Sequence, residues 1–296
     1  MITYKEALKI NEQYALDNHK EPSAIKILMM HFTNFNQTKL VNNLDKPMPE
    51  ERYKAFLRAV DDYVTKDIPV QHITKEEVFF GHTFEVGPEA MIPRCETEEL
   101  VANTLDMIDE HFEGYKSLSL LDVGTGSGCL AITLALEDKR IQAVGTEISE
   151  KALSLAEKNN KHFQTNVTFY KGDLMEPVNG QKFDIIVSNP PYIPNDEYVE
   201  PLVKDHEPHI ALFGGLDGLD YYRKIIKDVR FKLNDHYLIA FEHAWDKSKA
   251  LKKLIKKELK HVQIIQKKDM QGKDRMTFVM DRAKPESKRR LIRSKS

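Results

Sequence analysis

Cysteine is scarce in this chain, whose 296 residues include only Cys95 and Cys129. Two cysteines so far apart fit neither a disulfide framework nor the paired spacing of a zinc site. Long apolar runs are also missing, since none approaches the ~20 residues that a membrane-spanning helix needs. The N-terminus lacks the apolar core of a signal peptide and the arginine-rich character of a transit peptide. We therefore expect a cytoplasmic protein without a metal site and without contact to a membrane.

A strong overall charge is missing as well, because 44 Lys and Arg against 46 Asp and Glu give a net charge of −2. The charge is uneven: residues 281–296 hold seven Lys and Arg against two acids, a net of +5, which leaves −7 for residues 1–280. The body of the chain thus has no global attraction to nucleic acid, and we expect no direct nucleic-acid binding. We predict that the basic tail, 283–296, is disordered.

Residues 1–75 carry the apolar periodicity of short helices. Thr3 and Glu6 fit a capping box in front of an apolar helical face. Pro22 and Pro49 suit the first turns of later helices. We predict a small all-helical domain. It either docks a macromolecular substrate or stabilises the rest of the chain as a cap.

A linker is expected over residues 76–95. Residues 79–86 alternate apolar and polar side chains around a glycine, which is typical of a β-hairpin. The segment around Pro93 then runs extended into a helix that begins at Glu96. Arg94 either reaches an acidic group or the substrate, or it only anchors the linker.

A glycine-rich loop follows the predicted strand 118–122. Gly124-Thr125-Gly126-Ser127-Gly128 comes directly after this strand and opens a helix at Cys129. The spacing is GxGxG without a following lysine, which fits neither the dinucleotide fingerprint nor a P-loop. Glycines allow close backbone approach, and a helix N-terminus offers N–H groups to an anion. The loop predicts a cradle for a small carboxylate, such as that of a methionine group.

Acidic residues follow the next two predicted strands. Glu147 lies about twenty residues after the glycines, where doubly wound folds place an acid that binds ribose hydroxyls. Asp173 can accept a hydrogen bond from an adenine amino group, while Leu174 covers a ring face. A single acid at such a position is usually a solvated turn residue. The glycine loop and these three residues, in this order, indicate an S-adenosyl ligand.

The next strand, 183–187, runs into Ser188-Asn189-Pro190-Pro191-Tyr192. Two prolines cannot extend a strand, so this loop opens at the carboxyl end of a parallel strand, where α/β sheets bind ligands. The Asn189 side chain and the Pro190 carbonyl offer two acceptors to a planar –NH₂ group, and Tyr192 can pack on its face. Holding both hydrogens aims a poorly nucleophilic nitrogen at a sulfonium methyl group. The motif predicts methyl transfer to a carboxamide or to the amino group of a base.

The remaining pattern predicts the fold class. Glu207 either lines the pocket or is a solvated loop acid, and His243 is either a base or a structural residue at a strand end. Two closing strands give the sheet an antiparallel edge. We predict an α/β fold with a Rossmann-like, doubly wound sheet in a catalytic domain over residues 96–282.

Several motifs along the chain occur together in one known family. They are Pro69-Val70-Gln71-His72-Ile73, Phe79-Phe80-Gly81, Ile92-Pro93-Arg94 with Glu96-Thr97-Glu98-Glu99-Leu100, Asp122-Val123-Gly124-Thr125-Gly126-Ser127-Gly128, Ser188-Asn189-Pro190-Pro191-Tyr192-Ile193 and Gly214-Gly215-Leu216-Asp217-Gly218. Over nearly its whole length the chain resembles the PrmC/HemK family, the protein-(glutamine-N5) methyltransferases that modify peptide chain release factors. The Arg94 segment and the helical N-terminal domain are its more specific features.

The resemblance implies a class I methyltransferase that depends on S-adenosyl-L-methionine (SAM) and methylates the Gln of the release factor Gly-Gly-Gln motif. It also implies that the chain's partners are class 1 release factors, and we expect it to act as a monomer. Catalytic roles are implied for Asn189, Pro190 and Tyr192, and substrate contacts for these three with Pro191 and Arg94. The implied cofactor residues are Gly124, Thr125, Gly126, Ser127, Gly128, Glu147, Asp173, Leu174 and Asn189.

Some positions depart from the family pattern, and two other functions stay open. Cys95 replaces a usual proline, Glu147 replaces a common Asp, and Glu242-His243-Ala244 replaces a usual Glu-Ile-Gly. The main alternative is an N6-adenine or N4-cytosine nucleic-acid methyltransferase, against which the acidic body argues. A non-catalytic binding protein is the other, against which the intact Asn189 motif argues.

Overall fold

The computed structural model describes residues 2–282, which form two compact units. The first unit holds the chain up to Glu76 together with Val86–Pro88 and Val199–His206, and the second holds the rest. The basic tail 283–296, predicted to be disordered, lies outside the described residues. Within residues 2–282, every helix is too short or too polar to cross a bilayer.

The first unit is helical, as predicted. The Thr3 hydroxyl accepts a hydrogen bond from the Glu6 N–H at 3.2 Å, and the Glu6 carboxylate accepts from the Thr3 N–H at 2.8 Å, so the predicted capping box is present. The fifth helix along the chain is a short turn after Pro69, where the sequence pattern predicts only the end of the preceding helix. The helices up to Glu76 are α1 (Tyr4–Asp17), α2 (Ser23–Thr33), α3 (Gln37–Val41), α4 (Glu50–Thr65) and α5 (Val70–Thr74).

The second unit is built on a mostly parallel sheet of seven strands. The strands of the described chain are β1 (Glu76–Phe79), β2 (His82–Glu85), β3 (Leu118–Val123), β4 (Ile141–Glu147), β5 (Thr168–Lys171), β6 (Phe183–Ser188), β7 (Leu233–Glu242), β8 (Val262–Lys268) and β9 (Asp274–Asp281). Strands β1 and β2 pair as the predicted hairpin, and the large sheet has the order β5-β4-β3-β6-β7-β9-β8. Because β9 runs antiparallel to both of its neighbours, the predicted antiparallel edge is confirmed.

Apolar side chains cover both faces of this sheet. Leu120 and Ile185 belong to one hydrophobic cluster, whereas their chain neighbours Leu121 and Ile186 belong to the other, since successive strand residues point to opposite faces. This double burial explains why the central strands are continuous apolar runs, and it makes the fold Rossmann-like. The remaining helices are α6 (Cys95–His111), α7 (Cys129–Glu137), α8 (Glu150–Phe163), α9 (Pro201–Lys204, in the first unit), α10 (His209–Leu212), α11 (Asp220–Val229) and α12 (Ser248–Glu258).

The sheet has a topological switch point between β3 and β6. From β3 the chain continues to β4 and β5 on one side, and it then returns to place β6 on the other side. The carboxyl ends of these two central strands are Val123 and Ser188, each directly before one of the two predicted functional loops. Doubly wound sheets bind their ligands in the crevice at this position.

Candidate active site

A cavity of about 220 Å³ opens at the carboxyl ends of these strands. Most of the predicted site residues lie in its wall: Gly124, Thr125, Gly126, Ser127, Glu147, Asp173, Leu174, Asn189, Pro190 and Pro191. Its wall also contains residues to which sequence reasoning assigned no role, among them Met91, Pro93, Thr97, Ile210, Tyr221 and Lys224. Pro93 and Thr97 belong to a motif that carried the family resemblance, which was the available signal for them.

The glycine loop is fastened to the end of β4. The N–H groups of Gly124 and Thr125 both donate to the Thr146 carbonyl at 2.9 Å, and the Gly126 N–H donates to Glu147 Oε2 at 3.0 Å. These three N–H groups are therefore used within the protein, whereas the anion was predicted to meet the N–H groups at the start of the helix behind the loop. The loop therefore contributes shape and close backbone approach to the cavity wall.

Gly128 lies behind this loop, at the start of α7. The φ of Gly128 is +82°, a conformation that favours glycine, and a Cβ atom there would lie 3.1 Å from Ala156 Cβ on α8. Its N–H donates to the Thr125 carbonyl at 2.9 Å. The structure thus gives Gly128 a packing role next to the cavity.

Asp122, in β3, holds the glycine loop through hydrogen bonds. This fully buried carboxylate accepts from the Thr125 hydroxyl at 2.6 Å and from the Ala131 N–H at 3.3 Å. Burial raises the pKa of Asp122 to about 7, and the nearby Glu147 charge adds to the rise. Its two hydrogen bonds hold the loop and the first turn of α7 together.

Glu147 presents a carboxylate at the cavity wall. One oxygen accepts from the Gly126 N–H, and the other accepts from the Ser149 N–H at 2.8 Å. A carboxylate oxygen has a second lone pair, so both oxygens can still accept from the two hydroxyls of a ribose. Asp173 and Leu174 follow β5 and complete this side of the cavity.

The proline loop after β6 is packed against the glycine-rich loop 214–218. A Cβ atom on Gly218 would lie 2.2 Å from the Tyr192 carbonyl oxygen, and one on Gly214 would lie 2.4 Å from that of Pro191. Only glycine permits such an approach between two backbones. The second loop therefore holds the first one in shape.

The Asn189 side chain is the start of a buried chain of hydrogen bonds. Asn189 Nδ2 donates to Thr97 Oγ1 at 3.1 Å, and the Thr97 hydroxyl donates to Glu242 Oε2 at 2.7 Å. The Tyr192 hydroxyl reaches the other oxygen, Glu242 Oε1, at 3.2 Å, and its ring packs against the core beside the cavity. Burial raises the pKa of Glu242 to about 7 and raises the pKa of Tyr192 well above its usual value.

Arg94 forms an ion pair with Glu207. The Glu207 side chain is only 1% exposed, so its interpretation as a solvated loop acid is wrong. Burial raises the pKa of Glu207, and the Arg94 guanidinium opposes that rise. The neighbouring Pro93 and Pro208 both line the cavity. The ion pair therefore joins two segments of its wall.

His243 and Cys129 are buried side chains with structural roles. His243 is buried, with Nδ1 donating to the Ala244 carbonyl at 2.9 Å and Nε2 lying 2.8 Å from the Thr277 hydroxyl. Burial lowers the pKa of His243, and both of its nitrogens are engaged, so the structural interpretation holds. Burial raises the pKa of Cys129 to about 12, which keeps it a thiol.

Comparison with known proteins gives concordant matches. The family model of the PrmC N-terminal domain matches residues 11–74, and the family model of the methyltransferase small domain matches residues 99–208. Release factor glutamine methyltransferase of Bacillus cereus is 39% identical over 277 residues, 92% of this chain and 97% of that protein. The protein of the same name from Bacillus subtilis is 39% identical over 279 residues, 93% and 96% of the two chains. A methyltransferase structure from Pyrococcus furiosus, 18% identical, covers 78% of this chain and 98% of its own with a TM-score of 0.51, a likeness of fold.

Proposed function

This chain belongs to the family of release factor glutamine methyltransferases, and we propose that it transfers a methyl group from SAM to the side-chain amide of a glutamine in a release factor. Membership follows from relatives that are 39% identical over more than nine tenths of both chains. The glutamine proposed as the target is that of the Gly-Gly-Gln motif. This choice rests on the family resemblance.

The cavity fits the proposed cofactor by the chemistry of its donors and acceptors. Glu147 offers two carboxylate oxygens to ribose hydroxyls, Asp173 offers an acceptor to an adenine amino group, and Leu174 offers an apolar surface. When bound, SAM supplies an electrophilic methyl group on a sulfonium. We propose cofactor contacts for these residues and for Gly124, Thr125, Gly126 and Ser127, with Gly128 supporting the loop.

The observation that carries the proposal is the position of Asn189 and Pro190 in the same cavity wall. Asn189 Oδ1 and the Pro190 carbonyl accept the two N–H bonds of the substrate amide and orient its nitrogen. The N–CH₃ bond forms as the S–CH₃ bond breaks, and one N–H proton then leaves for water, so the product amide is neutral. Pro191 and Tyr192 hold the shape of this loop, while Arg94 acts through Glu207.

Mass spectrometry of a release factor incubated with this protein and SAM tests the function. We expect one added methyl group, located on the Gln of the Gly-Gly-Gln motif, and a rate of its formation about 10²- to 10³-fold lower with the Asn189→Ala variant. The competing function is methylation of adenine or cytosine amino groups. Label from tritiated SAM in DNA or RNA, with none in the release factor, would establish that alternative.

Three further assignments are part of the proposal. The helical unit docks the release factor, and its own buried core, which includes Ile25 and Phe56, supports an independent domain. The enzyme acts in the cytoplasm, a location supported by its two unpaired cysteines. It acts as a monomer, and the tail 283–296 is its proposed contact with the ribosome.

A further inference from the structure

Three side chains distant in sequence form one hydrogen-bonded chain that ends at the proposed amide site. Asn189 donates to Thr97, which lies 92 positions away on α6, and Thr97 donates to Glu242 at the end of β7, 145 positions away. Thr97 is 2% exposed and Glu242 is 1% exposed, so bulk solvent has little access to either partner. Nothing in the loop motif itself requires these two residues.

The buried end of this chain determines the direction of every bond in it. An ionised carboxylate only accepts hydrogen bonds, so the single hydroxyl proton of Thr97 is donated to Glu242. The Thr97 oxygen then has only lone pairs to offer Asn189, and it accepts from the amide –NH₂ group. This leaves Asn189 Oδ1 free of these three side chains, as an acceptor for a donor on the substrate.

We propose that Thr97 and Glu242 are positioning residues that fix the amide orientation of Asn189, so that Oδ1 and not Nδ2 meets the substrate –NH₂ group. The inference rests on the proposed function, because only a substrate that donates two N–H bonds needs this orientation. A reversed amide would set two donors against each other and disfavour binding of the reacting nitrogen.

The surroundings of Glu242 support a role beyond packing. Its second oxygen accepts from the Tyr192 hydroxyl, and its backbone carbonyl accepts from the Tyr222 hydroxyl at 2.6 Å, which holds the strand end in place. The Arg275 charge stabilises the ionised form, and Glu96 opposes it. A protonated Glu242 can donate to Thr97, and Thr97 can then donate to Asn189 Oδ1. The orientation of the amide is therefore coupled to the charge on this carboxyl.

The test compares Thr97→Val with Thr104→Val, a matched control on the same helix. Thr104 is fully buried, and its hydroxyl donates to the Leu100 carbonyl at 2.6 Å, so its replacement measures the cost of removing a buried hydroxyl from α6. With full-length protein, SAM and a release factor, we expect Thr97→Val to lower kcat/KM roughly 10- to 100-fold. Thr104→Val should stay within about threefold of wild type, and Thr97→Ser, which keeps the hydroxyl, should restore most of the loss.

The double variant Thr97→Val/Asn189→Ala separates positioning from stability. If Thr97 acts through Asn189, the second substitution adds no further loss to that of Asn189→Ala alone. Equal activity of Thr97→Val and Thr104→Val would overturn the inference, and so would a full multiplication of losses in the double variant. SAM binding by calorimetry should change by less than about threefold in Thr97→Val, since the proposed ribose and adenine contacts are made by Glu147 and Asp173. A wild-type protein that leaves the release factor unmodified would instead refute the proposed function.

Discussion

The two sides of the cavity are built in different ways. On the side formed by β3 and β4, the bracing contacts are local, as in the bond between Gly126 and Glu147, 21 positions apart. On the side formed by β6 and β7, the partners of Asn189 and Tyr192 are 92 and 50 positions away. The first side is a property of one β-loop-α-β unit, whereas the second exists only when α6 and β7 are both in place. The proposed cofactor site and the proposed site for the methyl-accepting amide are therefore formed by separate parts of the fold.

The two sides also differ in what they present. The glycine side offers shape and acceptors, because its first N–H groups are used within the protein. The amide side is a series of hydrogen bonds in which Asn189 donates to Thr97 and Thr97 donates to the buried Glu242 carboxylate. Substitutions on the two sides should therefore separate loss of cofactor affinity from loss of methyl transfer.

The largest effect is expected on the amide side, for Asn189→Ala. Removal of an acceptor that acts on the charge developing at the nitrogen should lower kcat about 10²- to 10³-fold. Affinity for SAM should fall by less than about threefold, because the proposed ribose and adenine contacts are made by Glu147 and Asp173. Single-turnover transfer of tritium to a release factor measures the first quantity, and calorimetry measures the second. Asn195→Ala, which changes an exposed asparagine of the same loop, is the control, and equal rates for both variants would contradict the role of Asn189.

The complementary effect is expected on the glycine side, for Glu147→Ala. Loss of hydrogen bonds to a charged carboxylate should weaken SAM binding roughly 10- to 100-fold. At saturating SAM the rate should recover most of its wild-type value, which Asn189→Ala cannot do. Glu150→Ala is the control, because Glu150 forms only an exposed ion pair with Lys171. Unchanged SAM affinity in Glu147→Ala would contradict the assignment of the ribose contact.

The sequence allowed much of the cofactor side to be predicted, because its signals are contiguous. Strand, glycine loop, helix and a later acid follow each other in chain order, and the sheet with its antiparallel edge follows from the apolar runs. The short helices α9 and α10 were missed because a single turn has no periodicity to detect. The use of the Gly124 and Thr125 N–H groups within the protein was not predicted, since their partner is the backbone of another strand.

The amide side could be predicted only in part. Asn189 and Pro190 can be recognised in the sequence, since two consecutive prolines must end a strand and open a loop. Thr97 is the third residue of a helix, and a threonine there has no pattern that points to a residue 92 positions away. Glu242 attracted notice only as a neighbour of His243, and the pairing of Arg94 with Glu207 spans 113 positions. Such contacts follow from tertiary packing, which a motif does not encode.

A smaller effect is expected for Arg94→Ala, which breaks the ion pair between two wall segments. At pH 8 the variant leaves the buried Glu207 carboxylate without its cation, and we expect a loss of about 2 kcal/mol in the free energy of unfolding. Burial raises the pKa of Glu207, so its protonation favours the folded state, and stability declines as the pH rises through that range. At pH 5 a larger fraction of Glu207 is neutral, and the loss should be smaller. Urea unfolding at both pH values measures this, with Lys158→Ala, which breaks an exposed pair with Glu85, as the control.

The smallest effect is expected in the pH dependence of methyl transfer, which we attribute to Glu242. Its pKa is raised to about 7 by burial, with Tyr192, Arg275 and Glu96 as the facing groups. The ionised form orients Thr97 and Asn189, so kcat/KM should fall about tenfold as the pH drops from 8 to 6. Glu242→Gln removes the titration and should flatten this profile at a lower plateau. The slope should persist in Glu147→Ala measured at saturating SAM, because the cofactor side does not share this proton. A slope that survives in Glu242→Gln would assign the titration to another group.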